Sequence, residues 1–361
     1  MSNCVPTANA RTSSRLPAIL AVFVAIAAFG PLSLRAETDT EAETTASVAF
    51  PIAYIESRLA GPLEIVDSRQ ARPKIAGDRS ARVLLAGGPG EPEMAARWKP
   101  VSPPGHGFNN EPRYELAAYQ LQKLFLEECE YVVPPVVLRA LPLEEHQRVR
   151  PDEPPTVKGS SSVLFLLSYW LSDVTNVDPW DAARFDADPR YARHWGNLNI
   201  LTYLIDHKDA NIGNLLVSRW QEDPRVFSVD NDVAFRSEES GRGVTWSRLL
   251  VNRLPQATLE RRRTLTPEDL EEKLGVLAEF TVVDGLLVTA DPGENLGPGR
   301  GMRSKAGRVQ FGLTATEIRD IKRRIGFLLA KVDRGRIRAD EDGPESLGLA
   351  CHAASAASAL R

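Results

Sequence analysis

The sequence predicts an α+β protein: a small β-rich lobe with one main helix, then a larger and mostly helical lobe. Three observations predict it. Alternating and continuous apolar runs fill 81–86, 94–101 and 162–171. One strongly periodic helix, beginning at Pro112, lies among them. Beyond residue 172 the helix-spaced segments dominate, ending in TATEIRDIKRRIGFLLAKV at 314–332.

The 361 residues give ample material for a buried core, in one large domain or two modest lobes. Hydrophobic content of 43% and charged content of 25% are those of an ordinary soluble chain. The net charge is −4, and residues 1–36 hold three arginines and no acid, so the chain from Glu37 carries −7. That balance argues against a nucleic-acid partner. Three cysteines, Cys4, Cys129 and Cys351, make no disulfide framework, and whether Cys129 and Cys351 pair is open. There is no CxxC or HExxH, and the five histidines are scattered, which argues against zinc.

Residues 1–36 have the three-part layout of a signal peptide. A polar start with Arg11 and Arg15 precedes the apolar run Leu16 to Leu32, and Ser33-Leu34-Arg35-Ala36 offers a small residue for cleavage. The run falls short of the ~20 residues a spanning helix needs, so no stable membrane span is expected after cleavage. An uncleaved N-terminal anchor is the alternative. Either way the folded part is exported, periplasmic or secreted. Residues 37–60 read as a spacer.

The β-rich lobe is expected over 61–171. Lys74 to Gly77, Ala81 to Ala86 and Met94 to Val101 read as strands, and Gly87-Gly88-Pro89-Gly90 as a tight turn. After the Pro/Gly/Asn loop 102–110, Pro112 starts a helix whose Leu116, Tyr119, Leu121 and Leu124 repeat at helical spacing. The double proline in YVVPPVVLRAL, 131–141, marks an edge strand. Residues 144–161 read as an exposed insertion, and SVLFLLSYWL, 162–171, as a buried strand.

The mostly helical lobe is expected over 172–335. Its helices are Trp195 to Ile205, the capped TPEDLEEKLGVLAEF (266–280) with Thr266 as N-cap, and 314–332. A Gly/Arg-rich loop, 291–308, joins the last two, and its Arg300, Arg303, Lys305 and Arg308 read as a solvated run. Residues 336–361 read as a disordered tail.

The chemistry-bearing stretch is Leu204 to Phe235: a polar turn, a short strand, a hairpin tip and a second strand ending in Asp-Asn-Asp. Asp209 is followed five positions later by Asn214, and Asp230 closes the apolar run 226–229. Asp206 and Asn211 repeat the same spacing, so two registers are open. The rigid strand after Asn214 favours Asp209/Asn214. An Asx turn is the plain alternative for Asp209, and a strand-end cap for Asp230.

His207-Lys208-Asp209…Asn214-Leu215-Leu216 resembles the catalytic loop H-R-D-x-x-x-x-N of the protein-kinase-like superfamily, and Val229-Asp230-Asn231-Asp232 stands where D-F-G stands. Trp98-Lys99-Pro100, then Tyr114-Glu115-Leu116 and Val133-Pro134-Pro135, is similar to the strand-lysine and helix-glutamate segment of its atypical branches. Those branches are the toxin-type HipA kinases, the phosphatidylinositol kinases and the secreted Fam20- and CotH-type kinases. The resemblance spans roughly Lys74 to Phe235.

The resemblance implies a bilobal kinase-like fold and transfer of the ATP γ-phosphoryl group to a hydroxyl of a protein, lipid or sugar. Asp209 would orient the hydroxyl. Asn214 and Asp230, with Asp232 as a further candidate, would hold Mg2+ or Mn2+. Lys99 would contact the phosphates, with Glu115 steadying it and Glu111 as a rival partner. There is no G-x-G-x-x-G phosphate loop. A catalytically weak scaffold and an AMP-transferring enzyme on the same fold are the alternatives.

Overall fold

The alternation at 81–85 and 94–100 becomes two neighbouring strands of an antiparallel sheet in the computed structural model, which describes residues 46–70, 80–101, 112–151, 153–235 and 250–340. The expected signal peptide at 1–36, the expected strand at 74–77, the expected loop at 102–110, Glu111 and the chain beyond 340 lie outside the described residues.

In chain order the first elements are α1 (Ile52–Ala60), β1 (Ile65–Gln70), β2 (Ala81–Leu85), β3 (Met94–Pro100), α2 (Pro112–Gln122), β4 (Val136–Pro142), α3 (Leu143–Val149) and β5 (Ser162–Tyr169). The five strands form one sheet in the order β1-β2-β3-β5-β4. The proline-rich strand β4 is therefore at an edge, and the continuous apolar strand β5 lies inside. In β3, Met94, Ala96 and Trp98 are buried on one face, while Arg97 and Lys99 share the other. Trp98 stacks on Phe165 with ring centroids 3.6 Å apart.

Helix α2 is buried along almost its whole length. The Gln122 side chain fixes its end by accepting from the Val132 and Val133 N–H groups (both 2.9 Å) and donating to the Val133 carbonyl (2.8 Å). These bonds satisfy backbone groups that burial would otherwise leave unpaired.

The chain continues through β6 (Val174–Thr175), α4 (Ala182–Ala187), α5 (Pro189–Ile205), β7 (Leu215–Ser218), β8 (Val226–Ser228), β9 (Arg253–Pro255), α6 (Gln256–Thr264) and α7 (Pro267–Leu274). Then follow β10 (Ala278–Val283), β11 (Leu286–Ala290), β12 (Met302–Lys305), β13 (Arg308–Phe311), α8 (Ala315–Asp333) and β14 (Arg338–Asp340). Asp188 caps α5, with Pro189 at its first position. Midway, a Cβ on Gly196 would lie 2.4 Å from Pro255 Cδ, so only glycine lets α5 pass β9 this closely.

The fold is α+β, and several sequence expectations need correction. The second half is not mostly helical: β6-β7-β8 and β11-β10-β13-β12 form two further antiparallel sheets. The helix expected to run to Phe280 ends at Leu274, and the expected loop at 291–308 contains β12. Positive φ at Asp284 and Gly285, and again at Ala306 and Gly307, makes the two tight turns of this sheet. The expected spacer contains α1, whose Ile52, Ile55 and Leu59 are buried. The expected insertion is not wholly exposed: α3 buries His146, which accepts from Trp98 Nε1 at 3.1 Å. The expected tail begins with β14, paired in parallel with β9. Cys129 is disulfide-bonded; the other two cysteines, Cys4 and Cys351, lie outside the described residues.

Candidate active site

Strand period places Arg97 and Lys99 on one face of β3, and the turn after β8 brings two carboxylates to them. Lys99 Nζ donates to Asp230 Oδ1 and to Asp232 Oδ2, each at 2.6 Å. Arg97 donates to the same Asp230 oxygen at 3.2 Å. Asp230 takes this position with φ of 63°, in the left-handed region that Asp tolerates better than most residues.

Asn231 makes that turn rigid. It is fully buried, its Oδ1 accepts from Ser228 Oγ at 2.6 Å, and its Nδ2 donates to the Ser228 carbonyl at 3.3 Å. Its backbone N–H donates to Glu115 Oε2 from α2. Glu115 therefore reaches the site through the turn backbone, whereas the ammonium of Lys99 is held by Asp230 and Asp232. Burial explains the division. It pushes the Glu115 carboxyl up to about 7, with the charges of Asp232 and Asp230 adding to the rise, so Glu115 is a poor counter-ion.

Burial pushes the Asp230 carboxyl up, but the Lys99 ammonium and the Arg97 guanidinium outweigh it and hold Asp230 well below the usual carboxylate range. For Asp232, burial and the neighbouring Asp230 charge prevail over Lys99, and its carboxyl is raised. Burial opposes the charge on Lys99, yet the two carboxylates raise its pKa above the usual lysine value.

The second group of residues follows α5. Asp206 closes that helix in the left-handed region, and Arg324 of α8 donates to its Oδ2 at 3.0 Å. Asn214 Nδ2 donates to Asp209 Oδ2 at 3.2 Å and to its carbonyl at 2.9 Å, while Asn211 Nδ2 donates to Asp209 Oδ1 at 3.0 Å. Of the two possible registers, then, Asp209 and Asn214 make the contact, and Asp206 anchors the loop to α8. His207 Nδ1 accepts from the Asp209 N–H at 3.3 Å. Burial pulls the His207 imidazole down to about 4, against the charges of Asp209 and Asp230, and so keeps it neutral.

Two backbone bonds join the groups. The Val229 N–H donates to the Asn214 carbonyl at 3.0 Å, and the Lys208 N–H to the Val233 carbonyl at 2.8 Å. Lys99, Asp230 and Asp232 are thus in direct contact, Asp209 and Asn214 are in direct contact, and Glu115 joins through Asn231. Sequence reasoning missed Arg97 and the anchoring role of Asn231. Arg97 was legible at strand period from Lys99. Asn231 gives no signal before the turn exists.

Among the described residues no three His, Cys, Asp or Glu side chains gather as a metal-ligand group. The donor set at the turn is nonetheless suited to a hard cation. Asp230 and Asp232 offer carboxylate oxygens that Lys99 bridges, and Asn214, whose nitrogen donates to Asp209, carries an amide oxygen with no hydrogen bond among the described residues. Oxygen donors of this kind fit magnesium or manganese.

No family model matches the chain, and none of the curated proteins matches it. The functional reading therefore rests on residues and geometry.

Proposed function

We propose that the protein is an exported, kinase-like phosphotransferase that moves the γ-phosphoryl group of ATP to a hydroxyl of a protein, lipid or sugar. The observation that carries this reading is the meeting of Lys99 on the third strand with Asp230 and Asp232 after β8, beside an Asp209–Asn214 pair. The order of these residues along the chain, with Glu115 on a helix between the third and fourth strands, agrees with the kinase resemblance.

Asn214, Asp230 and Asp232 are the residues that would hold Mg2+ or Mn2+, which would supply neutralisation of phosphate charge. Lys99 binds phosphate oxygens. Asp209, braced at both carboxylate oxygens by Asn211 and Asn214, orients the acceptor hydroxyl. Charge in phosphoryl transfer spreads over the phosphoryl oxygens, so fixing this geometry matters more than strong base catalysis.

The test uses the chain from residue 37 onward. ATP with magnesium or manganese should raise its melting temperature; Asp230→Asn should abolish the rise, and Asp209→Asn should keep it while losing γ-phosphoryl transfer. Absence of any rise with any nucleotide and metal would sink the enzyme reading and leave a scaffold. Label carried from the α- but not the γ-position would replace phosphoryl with AMP transfer.

A further inference from the structure

The face of the sheet that carries Lys99 holds more positive charge than the cluster around Asp230 uses. Register places Arg69 of β1 opposite Arg82 of β2, and Arg82 opposite Arg97 of β3. Residues paired across strands share a face, so three arginines form one cross-strand row, with Lys99 two residues from Arg97 on the same face. Like charges directly opposite one another are destabilising in a sheet.

The three arginines are answered differently. Arg69 is exposed and bonds to Asp67 at 2.9 Å. Arg97 donates to Asp230. Arg82 lies with its guanidinium 5.7 Å from the ring centre of Trp170, and among the described residues that guanidinium has neither an ion pair nor a hydrogen bond. Arg82 is half-buried, so its charge is not freely solvated, and no carboxylate among the described residues pairs with it.

We propose that Arg82, Arg97 and Lys99 form an anion-binding row for a ligand with several contiguous phosphates, Arg82 being the group that captures it. The inference rests on the phosphotransferase reading for Lys99 alone; Arg82 and Arg97 extend the phosphate site along the sheet. Neighbouring strands lie about 4.8 Å apart and residues two apart in a strand about 6.5 Å, so the backbone sets these three long side chains within reach of one chain of phosphates. The guanidinium fork suits phosphate oxygens, and the Trp170 face restricts Arg82 without competing for its N–H donors. Lys99 and Arg97 are already held by Asp230, so an incoming phosphate must compete for them. Among the described residues Arg82 has no such competitor.

The test measures binding of inorganic tripolyphosphate by titration calorimetry, with and without Mg2+, alongside Mg-ATP and adenosine. The wild type should bind tripolyphosphate without a base, and added salt should weaken binding. Arg82→Gln should weaken it about tenfold, the loss of one charge-assisted bond. Arg82→Lys, which keeps charge but not the fork, should fall between. Arg69→Gln, in the same row but paired with Asp67, should bind as wild type. If Mg-ATP binds and tripolyphosphate does not, or if Arg82→Gln binds tripolyphosphate normally, the row is refuted and the phosphotransferase reading stands. If tripolyphosphate binds through Arg82 but no phosphoryl group ever leaves ATP, the row stands and that reading falls. Binding of adenosine equal to that of ATP would also refute the row, since it would place affinity in the base.

Discussion

Lys99 and Asp230, 131 positions apart in the chain, meet at 2.6 Å, and the same ammonium lies 2.6 Å from Asp232. Neutralising Lys99 removes the cation that bridges the two carboxylates, while Arg97 still meets Asp230. Removing one partner of a fully buried ion pair costs about 3–5 kcal/mol. Asp230 keeps contact with water, so Lys99→Met is expected to cost about 2 kcal/mol in urea unfolding. Lys99→Met combined with Asp232→Asn should recover part of that loss, and strict additivity of the two would contradict the contact.

The two candidate registers separate by what each aspartate holds. Asp206→Ala removes the acceptor for Arg324 and should lower the melting temperature while leaving nucleotide binding intact. Asp209→Asn should lower turnover by at least about a hundredfold while nucleotide binding is kept. The reverse pattern would reassign the roles.

His194 gives the fold an acid limit. It is buried, and burial together with Arg225, Arg193 and Arg190 pulls its imidazole down to about 3 from an ordinary 6.5. The unfolded chain takes up this proton below about pH 6.5 and the folded chain does not. Stability is therefore complete above that pH and falls by about 1.4 kcal/mol per unit as the pH drops towards 3. Urea unfolding at pH 7, 6 and 5 should show the difference between wild type and His194→Asn shrinking with acidity; a constant difference would rule the histidine out.

Glu317 carries two duties at the start of α8. Its side chain accepts from the Thr314 N–H at 2.7 Å as the partner in a capping box, and it accepts from Arg113 at 2.6 Å and from the Tyr114 hydroxyl at 2.7 Å. Glu317→Gln should cost about 3 kcal/mol by removing the buried carboxylate charge that Arg113 meets at 2.6 Å. Thr314→Ala, which loses only the cap, should cost about 1 kcal/mol. Equal losses in a melting series would show that the contact with α2 adds nothing.

The sequence was legible where one local rule was strong. Alternation identified β2 and β3, a continuous apolar run identified β5, Pro112 opened α2, Thr266 capped α7, and helical spacing identified α8. It misled where two rules overlapped. Leu270, Leu274 and Leu277 keep helical spacing across Gly275, so the helix was read through into β10, although Asp284-Gly285 between apolar runs is a hairpin signal. In α1, Ile52, Ile55 and Leu59 have helical spacing, but the stretch 37–60 is low in turn signals and so reads as a spacer.

At the candidate site, the Asp209–Asn214 contact followed from spacing within one loop. The pairing of Lys99 with Asp230 and Asp232, and the bond from Asn231 to Glu115, depend on how far a buried carboxyl holds its charge. That quantity is set by the assembled surroundings.

The bond between Arg113 and Glu317 spans 204 positions, and it secures the helix that bears Glu115. During synthesis the sheet strands emerge long before α8. A fragment stopped short of Thr314 would lack the Glu317 carboxylate, so truncated products would be left without the tie that α8 supplies to this helix and would be more readily unfolded than the finished chain.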